Sequence, residues 1–272
     1  MTLYFDHIMH YVSDPLQVTR ELHELGINNK FGGDHSRGGT FNTLSYFGLK
    51  YIEYIGIKDE KAFAENISKL PKFSPISKIV NRRDREGIIS IALRSHNLKK
   101  ISNFLQKKGA AVEGPQPLSR KTPEGNTLSW ELLYAGVEDT EIPLPFFIDW
   151  KLADIERIAN LVESGYITPH EKGELEIANI VFAVNSFEHS IDKWKSFLDL
   201  EEIKLDKSFN EEVEYRTLTL DDVNFIFVKP KEEGKIKSFL ENEGPGIYQL
   251  DFRGAKKEEE LIIHNAIYHF YQ

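Results

Sequence analysis

Residues 6–12 read Asp6-His7-Ile8-Met9-His10-Tyr11-Val12, and strands of the same character return three times. They are Ile89-Ser90-Ile91-Ala92-Leu93-Arg94, Ala178-Asn179-Ile180-Val181-Phe182-Ala183-Val184, and Tyr248-Gln249-Leu250-Asp251-Phe252. With His7, Ser90, Asn179 and Gln249 as equivalent points, a helix-capping residue follows at one offset in the first three copies. These are Asp14 (14 − 7 = 7), Asn97 (97 − 90 = 7) and Ser186 (186 − 179 = 7). Side chains of this kind accept hydrogen bonds from the unpaired N–H groups that open a helix. Pro15 occupies a first helical position, where its missing N–H costs nothing. Val18, Leu22 and Leu25 then run at helical spacing to Gly26, and Leu98, Ile101 and Leu105 run to Gly109. Ile191, Trp194 and Leu198 form the third stripe.

Three strand-like runs follow each helix. In the first copy they are residues 29–33, 41–47 and 51–57; in the second, 111–113, 128–134 and 146–151; in the third, 202–205, 213–220 and 223–229. The fourth copy has its first strand and, on this reading, a terminal helix from Glu258 to Phe270. The pattern predicts an α+β fold of three βαβββ units and a truncated fourth, paired into two curved mixed sheets. The segment 72–86, with its charged run Asn81-Arg82-Arg83-Asp84-Arg85-Glu86, reads as an exposed linker, as does 165–173. The second linker divides the chain into a two-module unit, 1–164, and a remainder, 165–272.

A chain of 272 residues with 40% apolar and 28% charged residues is long enough and apolar enough for a full core. No apolar run approaches the ~18–20 residues that cross a bilayer. Met1 to His7 lacks the basic head and cleavage site of a secretory signal, so a cytoplasmic protein is expected. Cysteine is absent, which removes disulfides, thiolate ligands and cysteine nucleophiles. A net charge of −9 argues against nucleic-acid or anionic-membrane partners, because both require a cationic surface.

Paired βαβββ units curling into a half-barrel resemble the vicinal oxygen chelate superfamily. It includes glyoxalase I, extradiol dioxygenases, methylmalonyl-CoA epimerase and the bleomycin- and fosfomycin-resistance proteins. Asp6-His7-Ile8, Gly32-Gly33-Asp34-His35, Gly39-Thr40-Phe41-Asn42, Tyr51-Ile52-Glu53 and Leu144-Pro145-Phe146-Phe147-Ile148-Asp149-Trp150 more closely resemble its glyoxalase-like domain family of bacterial proteins. That likeness runs over residues 5 to 150. The last third resembles the superfamily through its repeat and through Gly244-Pro245-Gly246-Ile247.

The resemblance implies ligands on the first and last strands of each paired module: His7 and Glu53, then Ser90 and Asp149. Imidazole and carboxylate suit a divalent Zn, Ni, Mn or Fe ion that holds two vicinal substrate oxygens and acidifies the neighbouring carbon. Ser90 departs from the pattern, leaving His7, Glu53 and Asp149, which is enough for a site with open positions. The alternative is a hydrogen-bonded core histidine, with the two carboxylates binding substrate or each other.

Two carboxylates in an apolar cup would raise each other's pKa and suit Glu53 to act as a general base. Otherwise Glu53 pairs with Arg94, which shares the inward face of Ser90 and could instead grip a substrate carboxylate or phosphate. His35 and Asn42 flank a glycine-rich turn and are expected to hold substrate, although glycine, Asp and Asn also build turns unaided. His35, Asn42, Glu53 and Arg94 are thus expected to line one cavity, the largest concave site in the first half. His10 points the other way and reads as structural. His264 and His269 read as solvated, and Phe147, Trp130 and Tyr134 as core or pocket wall.

The third and fourth copies look chemically silent, with roles in folding, pocket closure or formation of a homodimer. The expected function is an enzyme of isomerase or lyase type acting on a small oxygenated metabolite. The alternatives are a non-catalytic protein that binds or sequesters a small molecule at a degenerate metal site, and a regulatory partner with a decayed site.

Overall fold

The four repeated strands form the spines of two sheets. The computed structural model describes residues 2–35, 38–82, 85–121, 127–206, 209 and 211–272. The first sheet is built from β1 (Tyr4–Tyr11), β2 (Lys30–His35), β3 (Thr40–Phe47), β4 (Lys50–Ile57), β5 (Gly87–Arg94), β6 (Ala111–Lys121), β7 (Thr127–Gly136) and β8 (Phe146–Asp149). Their spatial order is β2-β3-β4-β1-β5-β8-β7-β6, so two βαβββ modules meet along the antiparallel β1–β5 seam. Helices α1 (Pro15–Glu24) and α4 (Leu98–Lys107) supply the crossovers. They start where the caps predict: Asp14 accepts from Leu16 N at 2.9 Å and Gln17 N at 3.2 Å, and Asn97 from Lys100 N at 2.9 Å. The sheet curls until its outer strands meet, with the Arg120 guanidinium of β6 donating to the Gly32 carbonyl of β2.

The second sheet has the order β10-β11-β12-β9-β13-β15-β14. Its strands are β9 (Gly173–Ala183), β10 (Glu201–Ile203), β11 (Val213–Leu220), β12 (Val223–Pro230), β13 (Gly246–Ala255), β14 (Glu259–Ile263) and β15 (Ala266–Phe270), with helices α6 (Ile191–Leu198) and α7 (Lys235–Glu243). Two expectations change here. Helix α6 starts after Ser190 rather than Ser186, because residues 187–190 first make a turn in which Ser186 Oγ accepts from His189 N at 3.3 Å. The expected terminal helix is instead the β14–β15 hairpin. His264 and Asn265 hold φ values of 45° and 62°, the left-handed pair that a two-residue hairpin turn requires. Alternate burial along Ala266–Phe270 has the strand period of two.

The sheets pack back to back. One apolar cluster joins Phe5, Ile8, Ile52 and Leu93 of the first sheet to Ile180, Phe225, Phe252 and Phe270 of the second, and includes Val18, Leu22, Ile101 and Trp194 from the helices. Phe147 lies in this layer, fully buried. Against that apolar seam stands a polar lock. His10 Nε2 donates to the His264 carbonyl at 2.9 Å, so Nδ1 accepts from the Tyr268 hydroxyl at 2.9 Å, and Tyr54 lies 3.3 Å from that hydroxyl. His10 is structural, as its strand position predicts.

The concave face of the first sheet is covered. Helix α2 (Glu60–Ile67), capped by Asp59, and helix α3 (Ile76–Asn81) carry Phe63 and Ile79 into it, 1% and 0% exposed. They pack on Met9, Tyr11, Ile55, Ile89, Tyr134 and Phe146. The 72–86 stretch is therefore not simply an exposed linker. Its charged run hid an Ile76–Ile79 stripe that has nowhere else to bury.

Burial pushes His10 down to about 4, reinforced by His264 and Arg82 and opposed by the hydrogen bond to the His264 carbonyl and by Glu86. Between pH 6.5 and 4 the unfolded chain binds a proton that the folded chain refuses, so stability is full above 6.5 and falls as pH drops. The loss reaches on the order of 3 kcal/mol by pH 4. Urea unfolding from pH 7 to 5 should show a steeper decline in the wild type than in His10→Gln. Parallel profiles would show that this histidine does not carry the effect.

Candidate functional site

The site grows from an irregularity in β1. Phe5 pairs with Leu93 and His7 with Ala92, so Asp6 is the extra residue of a β-bulge. Such a bulge re-aims side chains. His7, Met9 and Tyr11 then face the cup while Ile8, His10 and Val12 face the second sheet. Asp6 is fully buried. It accepts from His7 Nδ1 at 2.8 Å, Trp150 Nε1 at 3.1 Å and Arg157 Nη1 at 3.0 Å, with Arg94 Nη1 at 3.6 Å. Arg157 comes from helix α5 (Asp154–Glu163) and lies over the Trp150 ring at 4.5 Å. Burial alone would raise the Asp6 pKa; Arg157, His7 and Arg94 outweigh it and hold the carboxyl well below the usual carboxylate range.

An ionised Asp6 can only accept, so Nδ1 of His7 carries a proton and Nε2 faces the cup. There Glu53 Oε2 lies 3.8 Å away, and Glu53 Oε1 accepts from Asn42 Nδ2 at 2.5 Å. His7 stacks on Tyr51 at 4.5 Å and meets the edge of Phe146 at 5.3 Å. Asn42 fits because Gly32, the extra residue beside its cross-strand partner Gly33, has no side chain: a Cβ on Gly32 would stand 2.3 Å from Asn42 Oδ1. His35 pairs with Thr40 across β2–β3, its Nδ1 3.0 Å from Thr40 Oγ1. Burial lowers the His35 pKa below its ordinary value, with Glu53 pulling the other way and Arg120 reinforcing the fall. This imidazole is neutral near pH 7. The structure thus brings His7, His35, Asn42 and Glu53 together.

It does not bring Asp149 or Arg94 to them. In β8 the inward residues are Phe146 and Ile148, so Asp149 leaves by the opposite face, beside Glu131, its cross-strand partner. Lys151 holds it there, with Nζ 2.7 Å from both Asp149 and Glu131. Arg94 stays on the inward side but at the bottom of the sheet, over the Tyr4 ring. It is consumed by Asp154 at 2.7 Å, the Phe5 carbonyl at 3.2 Å and Asp6. The pairing of Arg94 with Glu53, and its role as a free anion grip, both fail for this reason. Ser90 lies opposite Met9, so it shares the inward face of His7.

The divalent-ion expectation meets a donor set that does not fit. His7 Nε2 and Glu53 Oε2 are two suitable donors, Ser90 is a neutral hydroxyl, and Asp149 points away. Among the described residues no group of three His, Cys, Asp or Glu converges as a metal site.

Two features escaped sequence reasoning. Glu113 of β6, opposite Tyr134, shares the cup face; its only signal was alternation along a strand read as three residues and found to run from Ala111 to Lys121. In the second sheet, Asp251 accepts from Asn179 Nδ2 at 2.7 Å and Gln249 Nε2 at 2.6 Å, with His269 3.5 Å away. His269 is therefore half-buried on β15, and His264 binds Glu21 at 2.8 Å and Glu86 at 2.6 Å; neither is simply solvated. Trp130 and Tyr134 form cup wall, as expected. Two surface grooves lie elsewhere. One of about 260 Å³ sits beside Phe209, Tyr215 and Lys231 in the second half, and one of about 200 Å³ lies between His23, Lys30, Leu44 and Tyr166. The larger of these is not in the first half, and neither contains Glu53.

Asp6→Asn removes the charge that neutralises a buried guanidinium. It should lower urea-unfolding stability by about 3–5 kcal/mol. A loss under about 1 kcal/mol, the scale of a surface pair, would show that Asp6 does not organise the cluster.

The model of the glyoxalase-like domain family matches residues 5–198, reaching past residue 150 through the first strand and helix of the third copy. No curated protein matches the sequence. Among solved structures, a hypothetical protein from Staphylococcus aureus is similar over 99% of this chain and 100% of that one, with 23% identity and a TM-score of 0.81. A 4-hydroxymandelate synthase mutant from Streptomyces coelicolor is similar over 93% of this chain and 71% of that one, at 14% identity and a TM-score of 0.58. A methylmalonyl-CoA epimerase from Streptomyces coelicolor, in complex with 2-nitronate-propionyl-CoA, matches 56% of this chain and 100% of that one, at 14% identity and a TM-score of 0.41. The family model covers residues 5–198 of the 272, and the chain belongs to the glyoxalase-like domain family.

Proposed function

We propose that the cup of the first sheet binds a small oxygenated metabolite and that Glu53 is its proton acceptor, in chemistry of the isomerase or lyase type. One observation carries this reading. Glu53 is 8% exposed, yet among the described residues no Lys or Arg lies within ion-pair distance of it. A buried carboxylate without a cation is costly, and such groups concentrate where they perform chemistry. Its neighbours are an amide donor, Asn42, and Nε2 of His7. With a substrate hydroxyl donating to His7 Nε2, Glu53 Oε2 can take the proton of the adjacent carbon while the C–H electron pair passes to the neighbouring carbonyl. Asp6 then stabilises the imidazolium that forms when His7 receives a proton. His35, neutral, offers a hydrogen bond rather than a charge.

A second reading is favoured by a different observation. Phe63 and Ile79 seal the cup, and the third ligand expected of a metal site faces away. A protein that sequesters a small molecule without turning it over needs no more than this.

Both readings place the ligand at Glu53, and turnover separates them. A panel of α-hydroxy ketones incubated in D2O should show protein-dependent exchange of the α-proton by NMR. Glu53→Gln should slow that exchange by a factor of about 10²–10⁴. Ligand-induced stabilisation without exchange would support sequestration, and exchange unaffected by Glu53→Gln would remove Glu53 as the base.

A further inference from the structure

Two adjacent glycines stand where β2 shifts register, and each makes room for one polar group. Gly32 clears the space of Asn42 Oδ1. Gly33 clears a second space: a Cβ there would stand 1.8 Å from Arg120 Nη1 and 2.9 Å from Arg120 Cζ. The guanidinium therefore lies against the Gly33 backbone, and its Nη1 donates to the Gly32 carbonyl. Arg120 stands opposite Leu128 on β7, the strand that carries the cup-wall residue Trp130 at the next position of the same face. The Arg120 side chain thus leaves β6 into the cup.

The same contacts bring Arg120 to the Glu53 cluster. Gly33 is the cross-strand partner of Asn42, and Asn42 Nδ2 donates to Glu53 Oε1 at 2.5 Å. Cross-strand Cβ positions lie about 4.5–5.5 Å apart, which sets the guanidinium within about 7 Å of the Asn42 Cβ. His35, next along that face of β2, feels both charges, Glu53 raising its pKa and Arg120 lowering it. Among the described residues no ion pair holds Arg120. Asp34 of β2 goes to Lys58 at 2.8 Å, and Glu131 of β7 goes to Lys151 at 2.7 Å.

We infer that the metabolite taken by this cup is a small carboxylate, its anionic group held by Arg120 where β6 meets β2 and its reacting carbon turned towards Glu53. The planar guanidinium fork matches a carboxylate in shape and charge. One guanidinium neutralises a monoanion, whereas a phosphate dianion would leave a second negative charge beside the Glu53 carboxylate. The inference rests on the cup being the ligand site with Glu53 as its base. It gives Arg120 the anion grip that Arg94, held by Asp6 and Asp154, does not supply.

Lactate and lactamide share one hydroxylated skeleton and differ in a carboxylate against a neutral amide. Each can be titrated into the full chain at about pH 7 and followed by calorimetry and melting temperature, with inorganic phosphate as a third probe. Lactate should bind at least about 10-fold more tightly than lactamide. Arg120→Gln should weaken lactate by about 10–100-fold, the scale of charge-assisted hydrogen bonds, and leave lactamide unchanged, which a loss of structure would not do. Gly33→Ala keeps the charge but sets its Cβ in the place of the guanidinium, and should cost lactate affinity in the same selective way. Lactate bound no more tightly than lactamide, a preference that survives both variants, or phosphate bound more tightly than lactate overturns the carboxylate inference. If lactamide binding is then lost in Glu53→Gln, the cup survives as the site. Binding of every probe unchanged in Glu53→Gln, or no response to any of the three, overturns both.

Discussion

The buried Asp6 carboxylate is the constraint around which the first sheet is arranged. Removing an ion from water costs several kcal/mol unless charges and donors replace the lost hydration. The bulge in β1 turns this side chain into the protein, and three groups from distant segments converge on it together with its neighbour His7. Arg157 pulls α5 across the lower end of the cup, Trp150 is drawn in from the end of β8, and Arg94 locks the β1–β5 seam. His7 completes the set, and its orientation follows from the bond it makes. A structural ion cluster thereby fixes the tautomer of the imidazole that faces the candidate site, much as carboxylate partners orient histidines elsewhere.

The two cups have the same architecture and opposite electrostatic outcomes. In the second sheet the position of His7 is Asn179, and a carboxylate, Asp251, appears on the neighbouring strand in place of Ala92. Asp251 is fully buried, but the amides of Asn179 and Gln249 satisfy it, and Asn224 in turn donates to Asn179 at 3.0 Å. That network closes on itself. In the first cup Glu53 meets one amide, that of Asn42, and the imidazole of His7. The second sheet also serves the first mechanically. Its outer face buries the back of β1 through Tyr268, Phe225 and Phe252, giving the thin first sheet a rigid support.

Helices α2 and α3 lie over the first cup and its polar cluster. Helices α2 and α3 are short, and among their residues Phe63 and Ile79 make the deepest apolar contacts. The 8-stranded sheet beneath them is continuous, and Arg120 links its two outer strands.

Local rules were enough for the repeat, the first two caps, the strand faces of His7, Ser90 and His10, and the gathering of His35, Asn42 and Glu53 near one turn. Each of these follows from the direction in which successive Cβ atoms leave a strand or helix, and that direction is written in the spacing of residues. The terminal hairpin was misread because Glu258–Phe270 is amphipathic at either period until His264 and Asn265 adopt the left-handed turn. Asp149 was misplaced because one residue of register sends a side chain to the other face. The fate of Arg94 and the isolation of Glu53 were beyond sequence altogether. Arg94 meets Asp154 across 60 positions and Asp6 meets Arg157 across 151. Sequence determined which charges the sheet would point inward; only the folded chain decided which of them would be neutralised, because a charge pairs with whatever lies a few ångströms away in space.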